Sequence, residues 1–114
     1  SKAQELNLTD EISQAARRIG PHVLKTPLFH SPYLDELNHG EVYLKLESEQ
    51  YTGSFKARGA LNKVLSLAPE QKANGLLTAS TGNHAQGFAR ALAISGDHGL
   101  IYLPENAEPS KLER

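Results

Sequence analysis

An α/β fold is predicted by three features of the sequence. Candidate helices and strands alternate along it, their connections are short and marked by Gly and Pro, and 114 residues are enough for one small domain. A chain of this length buries roughly two-thirds of the surface its unfolded form exposes. That supports a small core but not a two-domain enzyme with its own cleft. No internal repeat, low-complexity tract or linker interrupts the alternation.

Thr9 or Asp10 can cap a first helix whose apolar side holds Ile12, Ala15, Ala16 and Ile19, and Gly20-Pro21 stops it. Thr26-Pro27 leads into a short extended run, Leu28-Phe29-His30. Ser31-Pro32 then supplies an N-cap and a first-turn proline for a helix through Leu34 and Leu37, ended by Gly40. Val42 to Glu47 is rich in strand formers and alternates from Val42 to Lys45, so a strand is expected before the turn at Tyr51-Thr52-Gly53. Ser54 caps the next helix, Phe55 to about Leu67, which Pro69 closes. Leu76 to Ser80 is expected to be a buried strand. Gly82-Asn83 forms a turn, and a helix from His84 to Ile94 carries Phe88, Leu92, Ala85 and Ala89 on one side before Gly96 ends it. Leu100 to Leu103 is the last strand, and Pro109 to Arg114 has the pattern of a further helix start.

Composition excludes several functions. With no cysteine there is no disulfide, thiolate nucleophile or zinc-thiolate site. A net charge of −1 with both signs interspersed gives no footprint for nucleic acid or anionic lipid. Uncharged apolar stretches such as Gly75 to Ala79 fall far short of the roughly 18–20 residues of a membrane span. No signal peptide opens the chain, so a cytoplasmic location is expected. The histidines at 22, 30, 39, 84 and 98 show no metal-binding spacing, and no metal is expected. Gly82 and Gly87 have the separation of a Walker loop, but Phe88-Ala89 stand where Lys and Ser/Thr are required. No dinucleotide-binding glycine motif occurs either.

Two polar turns have the composition of chemical sites. In Gly53-Ser54-Phe55-Lys56-Ala57-Arg58-Gly59-Ala60 a lysine opens a helix, with an arginine two residues on. The positive end of the helix dipole lies there and usually attracts Asp or Glu. Positive surroundings and partial burial would lower the lysine pKa and free a neutral amine for Schiff-base chemistry. Phe55 offers an aromatic face, and Gly53 and Gly59 allow close backbone approach. The alternative is a solvated lysine on an ordinary surface helix. The second turn, Thr78-Ala79-Ser80-Thr81-Gly82-Asn83-His84-Ala85-Gln86-Gly87, joins a strand to a helix N-terminus. Its free amides and the hydroxyls of Ser80 and Thr81 suit a carboxylate or phosphate. The alternative is a plain strand-helix turn capped by Asn83 or Ser80. Glu47 and Gln50 are read as structural, holding the turn before Ser54.

Taken together, Lys45-Leu46-Glu47, Gln50, Thr52 to Ala60 and Ser80 to Gly87 resemble the fold-type II pyridoxal-phosphate enzymes, and within them the threonine/serine dehydratases and serine racemases. Thr26-Pro27-Leu28 upstream and Leu103-Pro104, Pro109 and Lys111 downstream match the same order, so the resemblance runs from about Ile12 to Lys111. It implies a tryptophan synthase β-like fold with a parallel sheet flanked by helices, of which this chain holds an incomplete, N-terminal part. Residues 1–74 would begin the large cofactor-binding domain and 75–114 the small mobile one.

The resemblance also implies that Lys56 forms a Schiff base with pyridoxal 5′-phosphate and later acts as base at the substrate Cα. Phe55 would pack on the cofactor ring and Asn83 would hydrogen-bond its 3′ oxygen. Ser80, Thr81, Gly82, Asn83 and His84 would cradle the carboxylate of a small amino-acid substrate. The implied reaction is β-elimination from L-threonine or L-serine to a 2-oxo acid and ammonia, in a homo-oligomer that binds neither nucleic acid nor membrane. Serine racemisation is the alternative. Thr81 keeps a hydroxyl, as racemases do with serine there, yet adds a methyl, and so matches neither group's pattern. The family's phosphate-binding glycine loop is expected beyond Arg114, so this chain alone is expected to be inactive. A non-catalytic α/β fragment or interaction module is the reading from a different functional class.

Overall fold

The computed structural model describes residues 7–105. The helix start expected over Pro109–Arg114 lies outside the described residues. Asn7, rather than Thr9 or Asp10, caps the first helix, α1 (Leu8–Ile19). Its side chain accepts from the Asp10 amide at 3.2 Å, and Asp10 and Glu11 fall in the first turn, where the dipole favours acids. Of the expected apolar face, Ile19 is buried while Ile12 stays 66% exposed. A short 3₁₀ turn, Gly20–His22, follows at Gly20-Pro21.

β1 (Leu28–His30) and β2 (Tyr43–Lys45) form an antiparallel pair with Phe29 opposite Leu44, joined by α2 (Pro32–Asn38). Ser31 caps α2 as expected. His39 rather than Gly40 takes the left-handed closing conformation, φ 53°, and the Asp35 carboxylate accepts from the Val42 amide beyond it. Two 3₁₀ turns, Glu47–Glu49 and Tyr51–Gly53, lead to α3 (Lys56–Ser66). Next come α4 (Pro69–Lys72), β3 (Leu76–Ala79), α5 (Asn83–Ser95) and β4 (Gly99–Tyr102). Gly96 closes α5 with φ 74°, the left-handed geometry that favours glycine.

β3 and β4 run parallel in register, Thr78 opposite Ile101, with α5 as the crossover between them. Burial of β3 is not what its apolar run suggests. Leu76 packs on the core, but Leu77 is 69% exposed, and Leu100 and Tyr102 on β4 are exposed too. Side chains alternate across a strand, so with the core on one face of this two-stranded sheet only every second residue is covered.

The core is Ile19, Ala60, Leu61, Val64, Phe88 and Ala91, so α1, α3 and α5 share one interior across the residue 74 boundary. Small side chains on the facing stripes, Ala60 and Ala91, let α3 and α5 lie close. A Cβ at Gly59 would meet no described residue within 4 Å. Gly59→Ala should therefore stabilise the fold by about 0.5–1 kcal/mol, the helix-interior difference between the two residues, as read by urea denaturation.

Candidate active site

Lys56 is the first residue of α3, and its amide donates to Ser54 Oγ at 3.3 Å. Ser54 thus supplies the capping oxygen although Phe55 stands at the N-cap position. The Lys56 side chain is exposed, with Nζ 5.3 Å from the centroid of the exposed Phe55 ring. Among the described residues no carboxylate forms an ion pair with it. An accessible amine beside an aromatic face is what the lysine turn leads one to expect. The burial and the second free cation are not there.

Arg58 is a paired cation. Its Nε donates to Glu47 Oε2 at 2.7 Å, a terminal nitrogen donates to Glu47 Oε1 at 2.8 Å, and the same nitrogen reaches the Leu24 carbonyl at 3.2 Å. Glu47 Oε1 also accepts from Thr26 Oγ1 at 2.5 Å, and Lys45 Nζ donates to the Thr26 carbonyl. The Arg58 guanidinium, against the opposing cost of partial burial, is the main reason the Glu47 carboxyl is held down at about 2, with the Thr26 hydroxyl adding to it. Gln50 is buried and closes the other side of this clamp. Its Oε1 accepts from the Leu24 and Tyr51 amides, and its Nε2 donates to the Leu24 carbonyl. Glu47 and Gln50 therefore tie segment 24–26 to the turn before Ser54, the structural role read from the sequence. In that turn Thr52 has φ 64° with its hydroxyl buried and unpartnered.

The second turn runs from β3 into α5. Ser80 Oγ accepts from the Gly82 amide at 3.2 Å, which shapes the turn, and Gly82 stands at the N-cap. The helix therefore begins at Asn83, one residue before the expected His84. No side chain caps it. Its first backbone bond here is Gln86 N–H to the Gly82 carbonyl, so the amides of Asn83, His84 and Ala85 have no partner within the helix. Asn83 is exposed, while Ser80, Thr81, Gly82 and His84 are half-buried. Gln86 is only 6% exposed, and its Oε1 is unpartnered. His84 also lines an apolar groove between α3 and β3, with Val64, Leu76, Thr78 and Phe88. The groove encloses about 180 Å³ and Lys56 is not on its wall. It is smaller than the roughly 300 Å³ at which ligand pockets begin.

One contact brings the two turns together. Gly87 on α5 lies against the backbone of Lys56, so close that a Cβ at 87 would fall 2.9 Å from the Lys56 carbonyl oxygen. Gly87 is one turn along from Asn83, about 6 Å down the helix axis. The head of α3 thus sits beside the anion-attracting end of α5. A glycine inside a helix is the sequence signal for such an approach, whereas the partners of Arg58 and Gln50 carry no local signal. An exposed amine with an adjacent ring suits a cofactor bearing an aldehyde on an aromatic ring. Free amides at α5 suit a carboxylate.

Known proteins resemble this chain over most of its length. The family model described as pyridoxal-phosphate dependent enzyme matches residues 19–114. The L-threonine dehydratase catabolic TdcB of Staphylococcus aureus strain N315 is 48% identical over 102 residues, 89% of this chain and 30% of that protein. The solved T.th. threonine deaminase is 45% identical, with a TM-score of 0.76 over 95% of this chain and 33% of its own. Serine racemase from Dictyostelium discoideum is 38% identical, with a TM-score of 0.83 over 91% of this chain and 34% of its own. The chain spans about a third of the length of these relatives. Fold, resemblance and family model agree, and the chain belongs to the pyridoxal-phosphate-dependent enzymes of fold type II.

Proposed function

We propose that the polypeptide carrying this chain is an L-threonine or L-serine dehydratase that uses pyridoxal 5′-phosphate, with Lys56 as its lysine. The observation that carries this reading is the Lys56 amine at the head of α3, in no ion pair among the described residues, set beside the N-terminus of α5 that no described side chain caps. When bound, the cofactor supplies an electron sink for the negative charge that develops at the substrate Cα. Lys56 would anchor it and then take the Cα proton onto Nζ. Phe55 would pack on the ring, and Asn83 would orient it through its 3′ oxygen. The amides following Gly82, with Ser80, Thr81 and His84, would hold the substrate carboxylate against the positive end of α5. Holding the carboxylate there fixes which substrate bond faces the lysine. Loss of the β-hydroxyl and hydrolysis then give a 2-oxo acid and ammonia. In this proposal residues 75 onward open the smaller, mobile domain, and the enzyme is a cytoplasmic homo-oligomer.

Borohydride reduction of the cofactor-loaded polypeptide followed by peptide mapping tests the assignment. Label is expected on Lys56, and label elsewhere or none removes Lys56 from the role. Before reduction, the same preparation should convert L-threonine to 2-oxobutanoate. Chiral analysis of the serine left after incubation with L-serine reads the racemase alternative, which the hydroxyl of Thr81 favours. The isolated 114-residue chain is expected to show no turnover, and steady 2-oxobutanoate from it would overturn that expectation.

A further inference from the structure

We infer that Gly87 is a positioning residue for Lys56. The inference rests on the dehydratase reading for its catalytic consequence, though not for its geometry. A Cβ built on Gly87 would lie 2.9 Å from the Lys56 carbonyl oxygen, 3.0 Å from its carbonyl carbon and 3.2 Å from the Ala57 nitrogen. All three are backbone atoms, so no side-chain rotation relieves the contact. The backbone of Gly87 does not have the positive φ that calls for glycine, and what excludes a side chain at this position is space alone.

The contact joins the two polar turns backbone to backbone. Gly87 and its neighbours Ala85 and Phe88 are buried, as is Ala57, so the contact is covered on both sides. Any side chain at 87 must push the first turn of α3 away from α5. That moves the Lys56 amine relative to the free amides of Asn83, His84 and Ala85. The lysine and the carboxylate site would each stay intact while the distance between them changed. A misplacement of about 1 Å between reacting groups costs roughly 100-fold in rate.

Gly87→Ala in the cofactor-loaded full polypeptide tests this, with circular dichroism confirming the fold. Borohydride label at Lys56 is expected to persist, because the amine remains accessible. kcat for L-threonine should fall by roughly 10- to 100-fold per labelled lysine. Ala91→Gly, one turn further along the same buried face of α5, loosens the packing away from Lys56 and should keep the wild-type kcat per labelled lysine. A wild-type kcat in Gly87→Ala, or an equal loss in both variants, overturns the inference. Should Gly87→Ala not fold, hydrogen exchange on the wild type decides. The Arg58 amide, which donates to the Phe55 carbonyl in the first turn of α3, should then exchange as slowly as that of Val64 in the core. Exchange as fast as the first turn of α1 would show that α5 does not hold Lys56. Absence of borohydride label in the wild type would instead sink the dehydratase reading, and the exchange result would still judge the seat.

Discussion

Replacing Lys56 with alanine is expected to lower threonine turnover by roughly 10²–10⁴-fold, the span that a positioned acid-base group contributes. Folding should change by no more than about 1 kcal/mol, the upper range for the exposed cation–π contact with Phe55. The two effects separate because of how Lys56 is held. The Ser54 hydroxyl accepts from its backbone amide, which any residue but proline retains. Its side chain makes no ion pair among the described residues and covers no core. Alanine is also the better helix former.

Lys56→Arg distinguishes proton transfer from charge. Arginine keeps the cation at the head of α3 but stays protonated and cannot act as base. It should be as slow as alanine, whereas a small primary amine added to the alanine variant should restore part of the rate. Turnover close to wild type in Lys56→Arg would mean that the lysine serves only as a positive charge. Steady-state kinetics beside urea denaturation read both quantities.

The parts of the fold legible in the sequence are those written in consecutive residues. Ser31-Pro32 begins a helix, Gly20-Pro21 ends one, and Gly96 closes another, because each is a local backbone preference. The lysine turn and the Gly82 turn were legible for the same reason. Legibility fails where a decision depends on distant partners. Asn7, not the expected Thr9 or Asp10, caps α1, because its side chain reaches the Asp10 amide three residues on. Leu77 looks like core from composition, yet only the sheet's covered face decides. Arg58 looks like a second free cation until Glu47, 11 residues upstream, is folded against it. The spacing between the two site turns is set by Gly87, whose meaning appears only when α5 lies on α3.

Acid should expose the Glu47–Arg58 clamp as the second large effect. The Glu47 carboxyl sits at about 2 in the fold against an ordinary 4.5. Below about pH 5 the unfolded chain therefore takes up this proton first, and folding weakens as pH falls from there towards 2. The contribution present at neutral pH is at most about 3 kcal/mol by linkage. Glu47→Gln should lose stability at pH 7 by about 2–3 kcal/mol, since Arg58, whose side chain is 32% exposed, is left half-buried without its counter-charge. The variant's acid limb should also be flatter between pH 5 and 2. It will not vanish, because Asp97, held low by Lys72 and then by Ser95, also favours the folded state when ionised. Urea denaturation across this range, at constant ionic strength, measures both changes, and parallel curves for wild type and variant would show that the pair contributes nothing. Because Arg58 joins α3 to the Leu24 carbonyl two residues past Lys56, acid that opens the clamp also releases the first turn of α3. The folded protein keeps the clamp ionised until the pH nears 2, so the stability lost from pH 5 downward comes from proton uptake by the unfolded chain, and Glu47→Gln should be slowed at neutral pH before it unfolds.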